Sequence, residues 1–145
     1  MPYRITEADG SNHLAAATIR RMNGLAPEVF PALESHHLEN GFWWLAYFEG
    51  SVVAFAGLVE MEPFPSIGYL KRAYVLPDHR GHGLQGRFMS LREAKAREIG
   101  WTHLVSECGA ENRASARNFE RAGFDRCFPE QRWGASGSTY WVKAL

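Results

Sequence analysis

The sequence is short of cysteine, of any charge excess and of long apolar runs, and each shortage removes a class of protein. Cys108 and Cys127 are the only 2 cysteines among 145 residues and match no metal-ligand spacing. That argues against a disulfide framework or a zinc module, and both thiols read as reduced and structural. Lys plus Arg number 16 and Asp plus Glu 16, so the formal net charge is zero, without the basic excess that a nucleic-acid partner calls for. The longest apolar run, Phe42 to Phe48, falls far short of the roughly 20 residues that cross a bilayer. The opening Met-Pro-Tyr-Arg-Ile-Thr-Glu lacks the apolar core of a signal peptide, so a cytoplasmic location with no membrane partner is expected. Repeats, linkers and low-complexity tracts are also absent. What remains is ordinary globular composition, 46% hydrophobic and 22% charged, and a length that predicts one domain over residues 1–145.

The pattern of apolar residues gives an order of elements. Tyr3 to Thr6 reads as a strand, and Asp9-Gly10-Ser11-Asn12 supplies cap and turn chemistry for a helix from His13 to Asn23 that Gly24 stops. A second helix is expected from Pro27 or Pro31, with Val29, Phe30, Leu33 and His37 at helical spacing, to Asn40-Gly41. Phe42 to Phe48 reads as a strand buried on both faces, turned at Glu49-Gly50 into an antiparallel partner, Ser51 to Glu60. Prolines and a glycine predict a loop over Met61 to Gly68. A strand from Leu70 to Leu76 follows, closed by Pro77. The next helix places Leu84, Phe88, Leu91 and Ile99 at helical spacing, with Arg87, Arg92, Glu93, Lys95, Arg97 and Glu98 largely opposite, and Gly100 ends it. Trp101 to Cys108 is a further strand, and two short ones are expected around Asp125 to Phe128 and Ser138 to Lys143. A hairpin before a single strand-helix-strand unit predicts an α/β fold of α+β type. Its sheet is mixed, with helices on both faces.

The most informative stretch is the strand, glycine-rich loop Arg80 to Gly86, and helix. The first amides of a helix have no partners within it, the helix dipole adds positive charge there, and glycines let an anion reach the backbone. Arg80, His82 and Arg87 carry the same sign, so a phosphate-bearing ligand is expected. Gly81-His82-Gly83-Leu84-Gln85-Gly86 also matches the dinucleotide fingerprint, with Glu107 about twenty residues on, which keeps a dinucleotide-binding oxidoreductase open. In that fold the first glycine leaves the strand directly, whereas here Pro77-Asp78-His79-Arg80 intervenes.

The segment Asn112-Arg-Ala-Ser115-Ala-Arg-Asn-Phe119-Glu-Arg-Ala-Gly123-Phe124 follows the next strand. Paired with Arg80-Gly-His-Gly-Leu84, it resembles the GNAT superfamily of acyl-CoA-dependent N-acyltransferases, specifically from Val75 to Phe124. The resemblance implies a mostly antiparallel sheet of six to seven strands with a splayed central strand pair, and acetyl-CoA as co-substrate, with no metal and a small-molecule or peptide amine as acceptor. It implies that the backbone near Tyr74 and Val75 holds the pantetheine arm and that the amides of Arg80, Gly81, His82, Gly83, Leu84, Gln85 and Gly86, followed by Arg87, cradle the pyrophosphate. Asn112, Ser115 and Phe119 would meet the arm from the other side. Gln85 stands where family members often have Gly or Ala.

Phe119 stands where the family commonly has a tyrosine able to protonate the departing thiolate, and a phenyl ring cannot donate. The leaving group then departs as thiolate, or water, Ser106 or Ser115 supplies the proton. A catalytically silent acyl-CoA sensor is the alternative this departure keeps open. Glu60, Glu62 and Glu107 are the candidate general bases, placed near strand ends. His36 and His37 with Glu34 and Glu39 read as a solvated helix end, because adjacent helical histidines diverge by about 100°. The tryptophans read as core, with Phe64 and Trp133 as candidate lining of the acceptor site. A C2 homodimer is the commonest assembly on general grounds.

Overall fold

The chain folds in the order β1 (Tyr3–Ala8), α1 (His13–Asn23), α2 (Ser35–Asn40), β2 (Phe42–Phe48), β3 (Ser51–Met61) and β4 (Phe64–Val75). A 3-10 turn at Pro77–His79 leads to α3 (Leu84–Ile99), β5 (His103–Gly109), α4 (Arg113–Arg121), β6 (Asp125–Cys127) and β7 (Ser138–Ala144). This is a computed structural model, and it describes residues 2–134 and 137–145. Hydrogen bonds link seven strands in the order β1-β2-β3-β4-β5-β7-β6. Neighbours β1–β2, β2–β3, β5–β7 and β6–β7 are antiparallel and β4–β5 is parallel, giving the expected mixed, mostly antiparallel sheet. The parallel ladder joins Ile67–Tyr69 to His103–Val105. Among the described residues no helix is long and apolar enough to cross a membrane.

Two compact units divide the chain, Met1–Val59 with Leu70–Phe88, and Glu60–Tyr69 with Met89–Leu145. In the first, Asn12 caps α1 by accepting from Leu14 N at 3.0 Å and Ala15 N at 3.1 Å, and Gly24 ends the helix. β2 is buried from Trp43 through Ala46, as its unbroken apolar run predicts. Glu49 and Gly50 both take positive φ, 49° and 80°, the left-handed pair that a tight two-residue hairpin requires. Trp43 is fully buried and lies directly across from Gly57 of β3. A Cβ on Gly57 would collide with the Trp43 indole and lie 2.7 Å from the Lys71 carbonyl. Neither group can retreat, so Gly57→Ala is expected to cost about 3 kcal/mol, the upper end of overpacking. The shift in urea midpoint measures it.

The second helix is shorter than the spacing of Val29, Phe30 and Leu33 predicts, beginning only at Ser35. Pro31 interrupts a helix begun at Pro27: it carries no N–H, and its ring drives the preceding residue out of helical geometry. Val29 and Phe30 instead both donate to the Ala26 carbonyl in a single turn. The Pro31 carbonyl accepts from Asn23 Nδ2 at 2.9 Å and from Arg72 Nη2 at 3.1 Å. Arg72 sits in β4 at φ 60°, a left-handed conformation unusual for a non-glycine residue. Its guanidinium is held by Asn23 Oδ1 at 2.9 Å and lies 5.2 Å from the Phe30 ring centroid.

Three further expectations are corrected. Met61 to Gly68 is not a loop, since β3 runs to Met61 and β4 starts at Phe64, with only Glu62-Pro63 between. The prolines fall in the turn and at the strand's opening, where a missing N–H disrupts little of the ladder. α3 starts at Leu84, so Gln85 and Gly86 belong to its first turn and not to the loop. Arg92 is buried and not on the solvent face: with Leu84, Phe88 and Ala96 it lies near the middle of the buried stripe. Burial lowers its pKa to about 10. Leu91, at the stripe's edge, and Ile99, in the last turn, are exposed instead.

In the second unit, Lys143 Nζ of β7 bonds Glu93 Oε2 at 2.9 Å and the Ala122 carbonyl at 2.6 Å, so it also satisfies the end of α4. Burial pushes the Glu93 carboxyl up, but the hydrogen bonds and charges of Lys143 and Arg97 outweigh it, and the net direction is down. A depressed folded-state pKa stabilises above the ordinary carboxylate value, and that contribution is lost as pH falls through the folded value. Glu93→Gln should therefore cost about 1 kcal/mol near pH 7 and shrink the acid-induced loss of stability below about pH 4.5. Urea midpoints across pH 3–7 test this.

Candidate active site

The glycine loop belongs to the first unit. Leu76 N donates to Val53 O on β3 at 2.9 Å. By strand alternation the backbone of Tyr74 turns to that same side, and the amides of Ala73 and Val75 turn to the other edge of β4. Past the strand, His79 N and Arg80 N close the 3-10 turn onto Leu76 O and Pro77 O. Gly81 and Gly83 then take φ of 81° and 79°. A Cβ added at Gly81, Gly83 or Gly86 would meet nothing within 4 Å, so the backbone there is open to a ligand. The first amide of α3 with a partner is Arg87 N, on Gly83 O at 3.1 Å. Among the described residues, no protein acceptor meets the amides of Gly81, His82, Gly83, Leu84, Gln85 and Gly86. A row of free N–H groups at a helix start, with left-handed glycines between them, has the form of an anion-binding nest.

The side chains expected to assist are partly committed to the fold. Arg80 Nε donates to Val75 O at 3.0 Å and its guanidinium lies 5.5 Å from the Tyr74 centroid. Gln85 Nε2 reaches Ala73 O at 3.5 Å, and Arg87 Nη1 reaches Tyr3 O at 3.3 Å. The Tyr3 hydroxyl bonds His79 Nδ1 at 3.0 Å, and its ring lies 5.5 Å from that of exposed His82. These contacts brace the nest against β1 and the end of β4. They explain why Gln85 is accommodated where a small residue was expected.

In the second unit the candidates separate. Glu107 and Ser106 are neighbours on β5 and point to opposite faces. Ser106 is buried and opposes Trp141, whereas Glu107 opposes Tyr140 and is half-buried. Glu107 Oε1 accepts from the Tyr69 hydroxyl at 3.1 Å, and the backbone of Gly134 packs directly on its carboxylate. Glu60 and Glu62 are exposed. The Asn112 side chain caps α4, accepting from Ser115 N at 3.1 Å, so both residues have a helix-capping use. Phe119 is buried, stacked on Trp141 at 5.6 Å and tilted against Phe124 at 5.4 Å. A cleft of about 400 Å³ on the Ser106 face is lined by Arg113, Ala116, Glu120, Arg126 and Trp141. Burial raises the Cys127 thiol pKa.

His36 and His37 do not diverge as helical spacing predicts. In the first turn of α2 their ring centroids lie 4.1 Å apart, and with Glu34 they place three ligand-type atoms within 4.8 Å of one another. Tyr69 and Tyr140 were not anticipated as site residues. The signal that finds them is register: Tyr69 pairs with Val105 and Tyr140 with Glu107, so all four share one face.

The family profile described as Acetyltransferase (GNAT) family matches residues 13–124. No curated protein sequence matches the chain. Among solved structures, a Salmonella typhimurium protein described as an acetyltransferase, solved with its cofactor acetyl-CoA, is 19% identical at TM-score 0.78, covering 100% of this chain and 95% of its own. A ribosomal-protein-alanine N-acetyltransferase from Brucella melitensis is 22% identical at TM-score 0.77, covering 98% of this chain and 99% of its own. An acetyltransferase of the GNAT family from Staphylococcus aureus is 14% identical at TM-score 0.76, with 99% of each chain covered. At these identities the likeness is one of fold.

Proposed function

This chain belongs to the GNAT acetyltransferase family, and on that premise we propose that it moves an acetyl group from acetyl-CoA to a primary amine by direct attack in a ternary complex. The observation that carries the reading is the row of unpartnered amides from Gly81 to Gly86 at the start of α3. Those donors suit the pyrophosphate of coenzyme A, and the amides of Ala73 and Val75 suit the pantetheine arm and the thioester oxygen. The amine nitrogen attacks the acetyl carbonyl. A C–N bond forms, the C–S bond breaks, and the products are the N-acetyl amine and free coenzyme A thiol.

An amine, with a pKa near 10.4 if lysine is the model, must shed a proton to attack, and Glu107 is the carboxylate we assign to take it. Its bond to Tyr69 fixes the carboxylate's orientation, whereas Glu60 has exposure without a fixed place. With Phe119 packed in the core, the sulfur leaves as a thiolate and is protonated from water; a free thiol has a pKa of about 8.5, so this costs little. The same phenyl ring is the one feature that favours a silent acyl-CoA sensor. Thiol release from acetyl-CoA across a panel of amines separates the two, since a sensor binds acetyl-CoA and releases no thiol above the buffer rate.

A further inference from the structure

We infer that the face bearing Tyr69, Glu107, Trp133 and Tyr140 is the acceptor site, and that it takes an α-amino carbonyl compound, a primary amine with a carbonyl oxygen on the adjacent carbon. The inference rests on the transferase reading above and deepens it.

Two polar atoms point to a missing ligand. Tyr140 is 5% exposed and its hydroxyl has no hydrogen-bond partner among the described residues; the buried Nε1 of Trp133 has none either. Natural proteins rarely leave such groups unmet, and a pair of them side by side calls for an explanation, of which a bound ligand supplying an acceptor is one. Both adjoin Glu107. Tyr140 is its cross-strand neighbour, the Trp133 ring stands edge-on to Tyr140 at 4.8 Å, and Gly134, next in sequence to Trp133, packs on the carboxylate.

The chemistry of these groups selects the ligand. Glu107 can only accept from an ammonium, and the aromatic faces of Tyr69, Tyr140 and Trp133 favour a cation beside them. The indole N–H can only donate, so the ligand must also bring an oxygen acceptor, to which the Tyr140 hydroxyl can donate as well. A protonated polyamine has no acceptor and would leave both donors unmet. An amino acid amide and a peptide N-terminus share the required chemistry.

The test compares phenylalaninamide, a tripeptide with a free N-terminus, phenethylamine (which lacks the carbonyl) and spermidine. Expressed per unprotonated amine, because the α-amino group has a pKa of about 7.7–8.0 against about 10.4 for an alkylamine, the expected kcat/KM for phenylalaninamide or the tripeptide exceeds that for phenethylamine and spermidine by about tenfold or more, and whichever of the two is preferred names the source. Tyr140→Phe and Trp133→Phe should each raise KM for the carbonyl-bearing amine about three- to tenfold while KM for acetyl-CoA stays the same. Removing an unmet buried hydroxyl should leave the Tm of Tyr140→Phe unchanged or higher. Equal use of phenethylamine or spermidine overturns the inference, and so does a Tyr140→Phe variant with lowered Tm and unmoved KM. Phenylalaninamide alone, without acetyl-CoA, should change the tryptophan fluorescence of the wild type and not of Trp133→Phe; no change in the wild type overturns the site. Failure of acetyl-CoA to stabilise the protein thermally counts against the transferase reading instead, and leaves the fluorescence result standing on its own.

Discussion

Gly83→Val is expected to weaken coenzyme A binding by about 100-fold or more. Gly83 holds φ at 79°, and a β-branched residue forced into that region pays roughly 1–2 kcal/mol in backbone strain or abandons the conformation. Abandoning it turns aside the neighbouring amides, each of which forms a charge-assisted bond to phosphate worth about 1.5–3 kcal/mol. Strain alone falls short of the roughly 2.7 kcal/mol that corresponds to a factor of 100, but the loss of two such bonds, about 3–6 kcal/mol, exceeds it. The loop is exposed and a Cβ at Gly83 meets nothing within 4 Å, so the fold itself should survive, as thermal unfolding would verify. Calorimetric titration with coenzyme A provides the measurement. Wild-type affinity in this variant would mean that the phosphates bind elsewhere.

The second large effect concerns the proton. Glu107→Gln keeps the size and the hydrogen bond from Tyr69 but removes the base, and a positioned general base is worth about 10²–10⁴ in rate. The loss should be greatest near pH 6.5 and should narrow as the pH passes the amine's own pKa, about 7.7–8.0 for an α-amino group and about 10.4 for a lysine-like amine, because the free amine then needs no help. Glu60→Gln, at an exposed strand end, should stay within about threefold of wild type, the range of a surface change. Thiol-release rates from pH 6.5 to 10 for the three proteins separate the assignments. A Glu107→Gln variant with wild-type kcat at neutral pH would pass the role to water alone.

Much of the fold was legible because local chemistry and global packing agree over long stretches. Asn12 and Gly24 bracket α1, Glu49-Gly50 turns the hairpin, and the unbroken run from Phe42 to Phe48 announces a buried strand. The misreadings share a cause, which is that a side chain's type does not fix its surroundings. Arg92 is charged yet buried, and Val29, Phe30 and Leu33 keep helical spacing in a segment that Pro31 prevents from coiling. The anion nest was legible for the converse reason: it is made of backbone, and glycine spacing dictates backbone directly. The Glu107 cluster was not, because it depends on strand register. Tyr69, Glu107 and Tyr140 are far apart in sequence, and only the pairing of β4 with β5 and of β5 with β7 gathers them.

The kink at Arg72 ties two distant stretches into one mechanical part. Its left-handed backbone persists because Asn23, the Pro31 carbonyl and the Phe30 ring clamp the guanidinium from a segment some forty residues upstream. Ala73, Tyr74 and Val75 follow at once, so the aim of their amides depends on this clasp. On the transferase reading proposed above, sequence drift around Asn23 to Pro31 would therefore surface as altered coenzyme affinity, transmitted through the backbone of β4.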